Sequence, residues 1–141
     1  MHPLNWKLAP LIMLLMFLIT ASDAGIVRGK KTVNITNYLG RYTDLTLHCK
    51  SKDNDLGEQH LAYKSYYPFR FRPSYWGKTQ FFCFFKWEEN NGTAEAKWFD
   101  IYIDDRDKDR CTVCNWRIQS DGPCLLDDAT NNYDICFPWN P

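Results

Sequence analysis

The chain has 141 residues in which 17 Lys/Arg balance 17 Asp/Glu, a length that allows one domain with a modest core. Zero formal net charge gives no support to nucleic-acid binding, which leaves a basic footprint, nor to membrane lysis, which favours cationic amphipathic surfaces. The balance hides an asymmetry: residues 28–86 carry 11 Lys/Arg against 4 Asp/Glu, and residues 87–141 carry 5 against 12. In one domain the two halves interleave, so charge complementarity inside the fold is the plain reading, with a bipolar surface as the alternative.

The first residues set the compartment. Lys7 is the only basic side chain of a short polar start, and residues 8–19 (LAPLIMLLMFLI) form an uncharged apolar block. Spanning a membrane takes about 20 apolar residues, and this block falls short and contains Pro10. Ser22-Asp23-Ala24 has the small-x-small form of a processing site, so residues 1–24 are expected to be a signal peptide cleaved after Ala24, against the alternative of an uncleaved anchor. Removing 24 of 141 residues leaves 117 with no second apolar run, a secreted, extracellular chain with no membrane insertion.

Downstream, short alternating runs lie between turn signals. Residues 32–36 place Val33 and Ile35 on one face and Thr32, Asn34 and Thr36 on the other; residues 45–50 do the same with Leu45, Leu47 and Cys49 against Thr46, His48 and Lys50. A period of two marks half-buried strands. Tyr67, Phe69 and Phe71 alternate with Pro68 and Arg70, and the proline suggests an edge or a strand start. Residues 80–87 (QFFCFFKW) are apolar almost throughout and predict a central strand. A further strand, residues 98–103, follows Asn91-Gly92, a hairpin signal. Cys114, Trp116 and Ile118 form one face of the last clear strand, ended by Asp121-Gly122-Pro123. Six or seven strands without a convincing helix predict an all-β protein, a small antiparallel β-sandwich stapled by disulfides. With 6 Trp, 8 Tyr and 9 Phe, its core is built largely from rings. The run Phe81, Phe82, Phe84 and Phe85 belongs to that core, or alternatively forms a ligand platform.

Six cysteines, Cys49, Cys83, Cys111, Cys114, Cys124 and Cys136, in a small secreted chain imply three disulfides. Cys49 and Cys114 both lie on inward registers, which suggests a bridge between two sheets. Cys83 then pairs with Cys111 and Cys124 with Cys136, one of the fifteen connectivities that six cysteines allow. Zinc at Cys111-x-x-Cys114 lacks a second clustered ligand pair, since adjacent His48 and Cys49 chelate poorly.

Residues able to carry chemistry are few. The histidines after residue 24 are His48 and His60, neither beside a nucleophile elbow or a metal partner at helical spacing. A triad of Ser51, His60 and Asp53 would need one loop to supply three preorganised groups. Asp105, Asp107 and Asp109 have the spacing of a calcium loop, but Arg110 stands where glycine is required and Trp116 where glutamate should be. That run is expected to be a solvated turn. No catalytic or metal residue is assigned and no cofactor is implied. Two sequons, Asn34-Ile35-Thr36 and Asn91-Gly92-Thr93, are candidate glycosylation sites, with Asn91 at a hairpin tip the more accessible.

The ordered motifs resemble the plant self-incompatibility S1 family, the S-protein homologues. They are Val33-x-Ile35-x-Asn37, Leu47-His48-Cys49-Lys50-Ser51-Lys52-Asp53-Asn54-Asp55-Leu56-Gly57 and Phe69-x-Phe71. Phe81-Phe82-Cys83-Phe84-Phe85-Lys86-Trp87, Phe99-Asp100-Ile101-Tyr102 and Cys111-x-x-Cys114-x-Trp116 follow in order. The resemblance implies a secreted plant β-sandwich with four family cysteines, here Cys49, Cys83, Cys111 and Cys114, and supplies no catalytic residue. The domain is expected to span residues 25–124, with residues 125–141 as a C-terminal extension. Founding members resemble ligands of a cell-surface receptor, so loops 50–60, 72–78 and 88–97 are candidate recognition surfaces. Asp53, Asp55 and Glu58 are the candidate receptor contacts. The alternative is a secreted defence protein binding microbial glycans or surfaces, for which Tyr75 and Trp76 offer rings that stack on sugars.

Overall fold

The computed structural model describes residues 29–141; the expected signal peptide lies outside the described residues. Strand β1 (Lys31–Asn37) buries every second residue, Val33, Ile35 and Asn37 among them, and β2 (Leu45–Lys50) repeats the pattern with Leu45, Leu47 and Cys49. Strand β3 (Asp55–Leu61) follows, then β4 (Tyr66–Phe71), whose Pro68 lies on a sheet edge. Strand β5 (Gln80–Glu88) is central and buries Phe81, Cys83, Phe85 and Trp87. It turns at Asn91-Gly92 into β6 (Ala94–Ile103). A single helical turn, α1 (Asp104–Asp107), leads to β7 (Val113–Gln119), β8 (Gly122–Asp127) and β9 (Asn132–Cys136).

The strands form two sheets, one ordered β4-β1-β7-β8-β9 and the other β3-β2-β5-β6. Strands β1 and β7 run parallel, and the other paired neighbours are antiparallel. The inward faces interdigitate as a core of rings and aliphatics. Trp116 lies 5.3 Å from Phe99, and Phe81 packs 5.1 Å from Phe69 and 4.7 Å from Phe71. A bulge between β5 and β6 adds a residue to β6, so Ile101 and Tyr102 are both buried in succession.

Parity splits the phenylalanine run: Phe81 and Phe85 enter the core, Phe82 is half-buried and Phe84 stays 44% exposed on the outer face. Buried polar groups tie the sheets together. Asn37 donates through Nδ2 to the carbonyls of Thr43 (2.8 Å) and Leu61 (2.9 Å) and accepts from Leu39 N–H. The Lys31 ammonium donates to the carbonyls of Lys108 and Cys111.

Two expected disulfides are corrected. Cys49 bonds Cys83 and Cys111 bonds Cys114, in place of Cys49–Cys114 and Cys83–Cys111. Cys49, Cys83 and Cys114 all face inward, so parity could not choose between them, but proximity does. Cys49 and Cys83 are direct partners across β2 and β5 with Cα atoms 4.0 Å apart, whereas a facing sheet lies about 10 Å away. Cys124 bonds Cys136, as expected, between paired positions of β8 and β9.

The expected domain limit after residue 124 falls inside β8, and β8 and β9 complete the five-stranded sheet. The strand of Cys114, Trp116 and Ile118 ends at Gln119 before Asp121, as expected, but Gly122-Pro123 opens β8, with Gly122 paired to Gln119 across the turn. Residues beyond β9 then seal the sandwich. Phe137 N–H donates to the Pro123 carbonyl, and Trp139 packs on Phe85 and Trp87. A Cβ at Gly122 would sit 2.0 Å from the Phe137 carbonyl oxygen, so glycine is required for that approach.

Candidate functional site

The most specific sequence motif, from Leu47 to Gly57, folds into the β2–β3 hairpin. Ser51 N–H donates to the Asn54 carbonyl (2.8 Å) and Ser51 Oγ accepts from Asn54 N–H (3.1 Å), closing the turn at both ends. Gly57 holds φ +79°, and the register slips so that Lys50 pairs with Asp55 while His48 pairs with Glu58. This bulge carries Asp55 back to His48, and their side chains bond directly. Asp55 also accepts from Gly57 N–H at 2.9 Å. The His48 bond first, and the Gly57 amide second, hold the Asp55 carboxyl below the usual carboxylate range.

The expected loop 50–60 is therefore a tight turn followed by an edge strand. The structure brings Asp55 and Glu58 together around His48, while exposed Asp53 stands apart on the turn. His60 binds Thr46 through Nδ1 at 3.0 Å, on the outer face.

Next to this hairpin, the loop joining β4 to β5 encloses a cleft of about 580 Å³ with the β2–β3 turn. Phe71, Phe81 and Phe82 line it, as do Lys52, Arg72, Lys78 and Asp53. Sequence reasoning named both walls, loops 50–60 and 72–78, as recognition surfaces, but did not join them into one cleft because they come from separate segments.

The acidic run is only in part the solvated turn expected: Asp105 and Asp109 are exposed, but Asp104 and Asp107 are buried. Asp107 accepts from Ile103 N–H (3.0 Å) and from the Arg106 guanidinium through both oxygens (2.7 and 2.8 Å). That guanidinium also donates to the Asp100 carbonyl and lies 5.2 Å over Phe99 and 5.0 Å over Phe137. Carboxylates that serve the fold this way are occupied, which is why their alternate spacing misleads. Among the described residues no group of three or more His, Cys, Asp or Glu is placed to hold a metal.

The sequons differ in setting. Asn34 is half-buried in mid-strand, and its Nδ2 donates to Asn115 Oδ1 at 2.9 Å. Asn91 is exposed, with its Oδ1 accepting from Thr93 N–H.

Comparison with known proteins agrees with this architecture. The family model for plant self-incompatibility protein S1 matches residues 32–139, so the C-terminal strands lie within the family domain. S-protein homolog 29 of Arabidopsis thaliana is 38% identical over 135 residues, covering 95% of this chain and 96% of that protein. S-protein homolog 4 of the same plant is 45% identical over 116 residues, covering 79% of this chain and 73% of that protein. A solved structure of a self-incompatibility protein homologue, from a family described as small, highly stable, secreted plant proteins, superposes with TM-score 0.55 at 19% identity. It covers 82% of this chain and 97% of that one. The chain belongs to the plant self-incompatibility protein S1 family.

Proposed function

We propose that the protein is a secreted plant recognition ligand, released after loss of residues 1–24, that binds a cell-surface receptor through its loops. The observation that carries this reading is the β2–β3 hairpin. A family-specific motif is spent on bracing an exposed turn and edge strand, with Asp55 fixed by His48 and Gly57. Carboxylates on a preorganised rim steer encounter and set specificity, and Asp53 and Glu58 are exposed on this one. Family membership and the described character of the solved homologue support the secretory part.

The test is saturable binding of labelled protein to protoplasts from several tissues, using material recovered from medium and starting at Gly25. Asp53→Asn with Glu58→Gln should weaken binding about tenfold while shifting stability by no more than about 0.5 kcal/mol. His60→Gln should leave binding in place. Binding that is unchanged by the carboxylate pair, or absent from every tissue, counts against the ligand reading.

A further inference from the structure

We propose that the cleft between the β2–β3 turn and the β4–β5 loop binds an acidic oligosaccharide, a chain of carboxylated pyranose rings. The inference goes beyond the receptor reading and does not depend on it.

Three features of the cleft match three features of such a ligand. The first is charge. Lys52, Arg72 and Lys78 line the space against a single carboxylate, Asp53. Lys52 and Lys78 are exposed, and neither is paired with a carboxylate among the described residues. Ammonium groups on long stems are mobile point charges, suited to carboxylates that recur along a polymer.

The second is hydrogen bonding. Asn54 adds an amide to the lining, and Gln80, whose Nε2 donates to Asp100, and Thr79, whose Oγ1 accepts from Ser74 N–H, retain a carbonyl and a hydroxyl hydrogen. Sugar hydroxyls need such partners to replace water.

The third is an aromatic pair on the turn between two lining residues, Ser74 and Lys78. Between them the chain turns tightly. Ser74 N–H donates to Thr79 Oγ1 (2.7 Å), Trp76 N–H donates to Ser74 Oγ (3.2 Å) and Gly77 takes φ +70°. This turn presents Tyr75 at 60% and Trp76 at 79% exposure, rings perpendicular and 5.3 Å apart. Adjacent exposed rings make a contiguous apolar patch, the kind of surface that marks a binding site. Their electron-rich faces attract polarised C–H groups, which a pyranose presents on its flat face. An acidic peptide would satisfy the lysines equally well but has no such face for Trp76. That difference favours the glycan.

The experiment is a titration of the intact secreted protein, by calorimetry or amide NMR, with three probes: an oligogalacturonate, its methyl ester and a polyglutamate of similar length. The oligogalacturonate is expected to bind, more weakly as salt rises, with shifts at Lys52, Trp76 and Lys78. The neutral ester, which lacks the charge, and the polyglutamate, which lacks the pyranose face, are expected to bind at least about tenfold more weakly. Joint Lys52→Ala and Lys78→Ala should weaken oligogalacturonate about tenfold, and Trp76→Ala about fivefold without changing the salt dependence. Lys78→Arg keeps the charge and should bind nearly as the parent. These positions are exposed, and unchanged melting of each variant separates binding from folding.

Three results would overturn the proposal: no binding of the oligogalacturonate, equal binding of its ester, or polyglutamate binding as tight with no effect of Trp76→Ala. The last would assign the cleft to acidic peptides. Protoplast binding of the Asp53 and Glu58 variants is read separately, so failure here leaves the receptor reading untouched.

Discussion

Asp55 shows how a single residue links sequence motif, backbone and charge. Its carboxylate bonds the His48 side chain and the Gly57 amide, so it does for the bulge what a side-chain cap does for a turn. The carboxyl is held below its ordinary value by those partners, which fixes the sign of the pH dependence. A carboxyl whose pKa is depressed by folding stabilises the native state above its unfolded pKa, and that contribution is lost as pH falls through the folded value. Asp55→Asn should therefore be less stable than the parent near neutrality, and the two should converge as pH falls through and below the ordinary aspartate value of 3.8. Urea midpoints across that range check it. Parallel profiles would mean that the bond to His48 contributes nothing to folding. Because Asp55 is exposed, the difference is expected to be small.

At the scale of elements, legibility followed composition. Strands β1, β2 and β5 could be read directly, because their inward positions, apart from Lys31 and Asn37 at the ends of β1, are Val, Ile, Leu, Cys, Phe and Trp at strict alternation. Strand β3 could not. Asp, Gly, Glu, Gln and His fill five of the seven positions of its sequence DLGEQHL, and edge strands carry polar residues to resist pairing with other chains. Strands β8 and β9 were hidden by Gly122-Pro123 and by Asn132 and Asp134, which look like turn residues until the edge position of β9 is known. Site residues divide the same way. The hairpin was found through its motif, though taken for a loop, and the two loops of the cleft were named separately but not joined, because alternation cannot relate them.

The hairpin between β5 and β6 carries a prediction of its own. Asn91 sits exposed in the turn with its amide oxygen bound to Thr93 N–H, while Asn34 is half-buried with its Nδ2 bound to Asn115. An attached sugar needs that nitrogen and open space around it. Asn91 is expected to carry the N-linked glycan of the secreted protein, and Asn91→Gln should abolish most of the mass shift on N-glycosidase treatment. A shift that persists in Asn91→Gln and vanishes in Asn34→Gln would reverse the assignment.

Taken whole, the molecule is a pair of sheets whose shared core is reinforced by three covalent closures. Its three bridges enclose very different lengths of chain: 34 residues of separation for Cys49–Cys83, 12 for Cys124–Cys136 and 3 for Cys111–Cys114. Cross-linking stabilises by restricting the unfolded chain, and the effect grows with the logarithm of loop length. That gives about 4, about 3 and about 2 kcal/mol respectively. The order is reinforced by position. Cys49 and Cys83 are fully buried, whereas Cys136 is exposed on the edge strand, so removing the first pair also opens space in the core. Replacing each pair by alanine should therefore lower the melting temperature most for Cys49/Cys83, less for Cys124/Cys136 and least for Cys111/Cys114. The C-terminal bridge still matters, because it clips β9 to β8 just before the segment that lays Phe137 and Trp139 over the core. Its loss should raise amide exchange at Phe137 and Asn140, whose N–H groups bond Pro123 and Trp98, before it affects β2 or β5. If the Cys111/Cys114 variant melts lowest, loop closure does not govern the ranking, and the turn before β7 holds the fold in a way that loop length and burial do not capture.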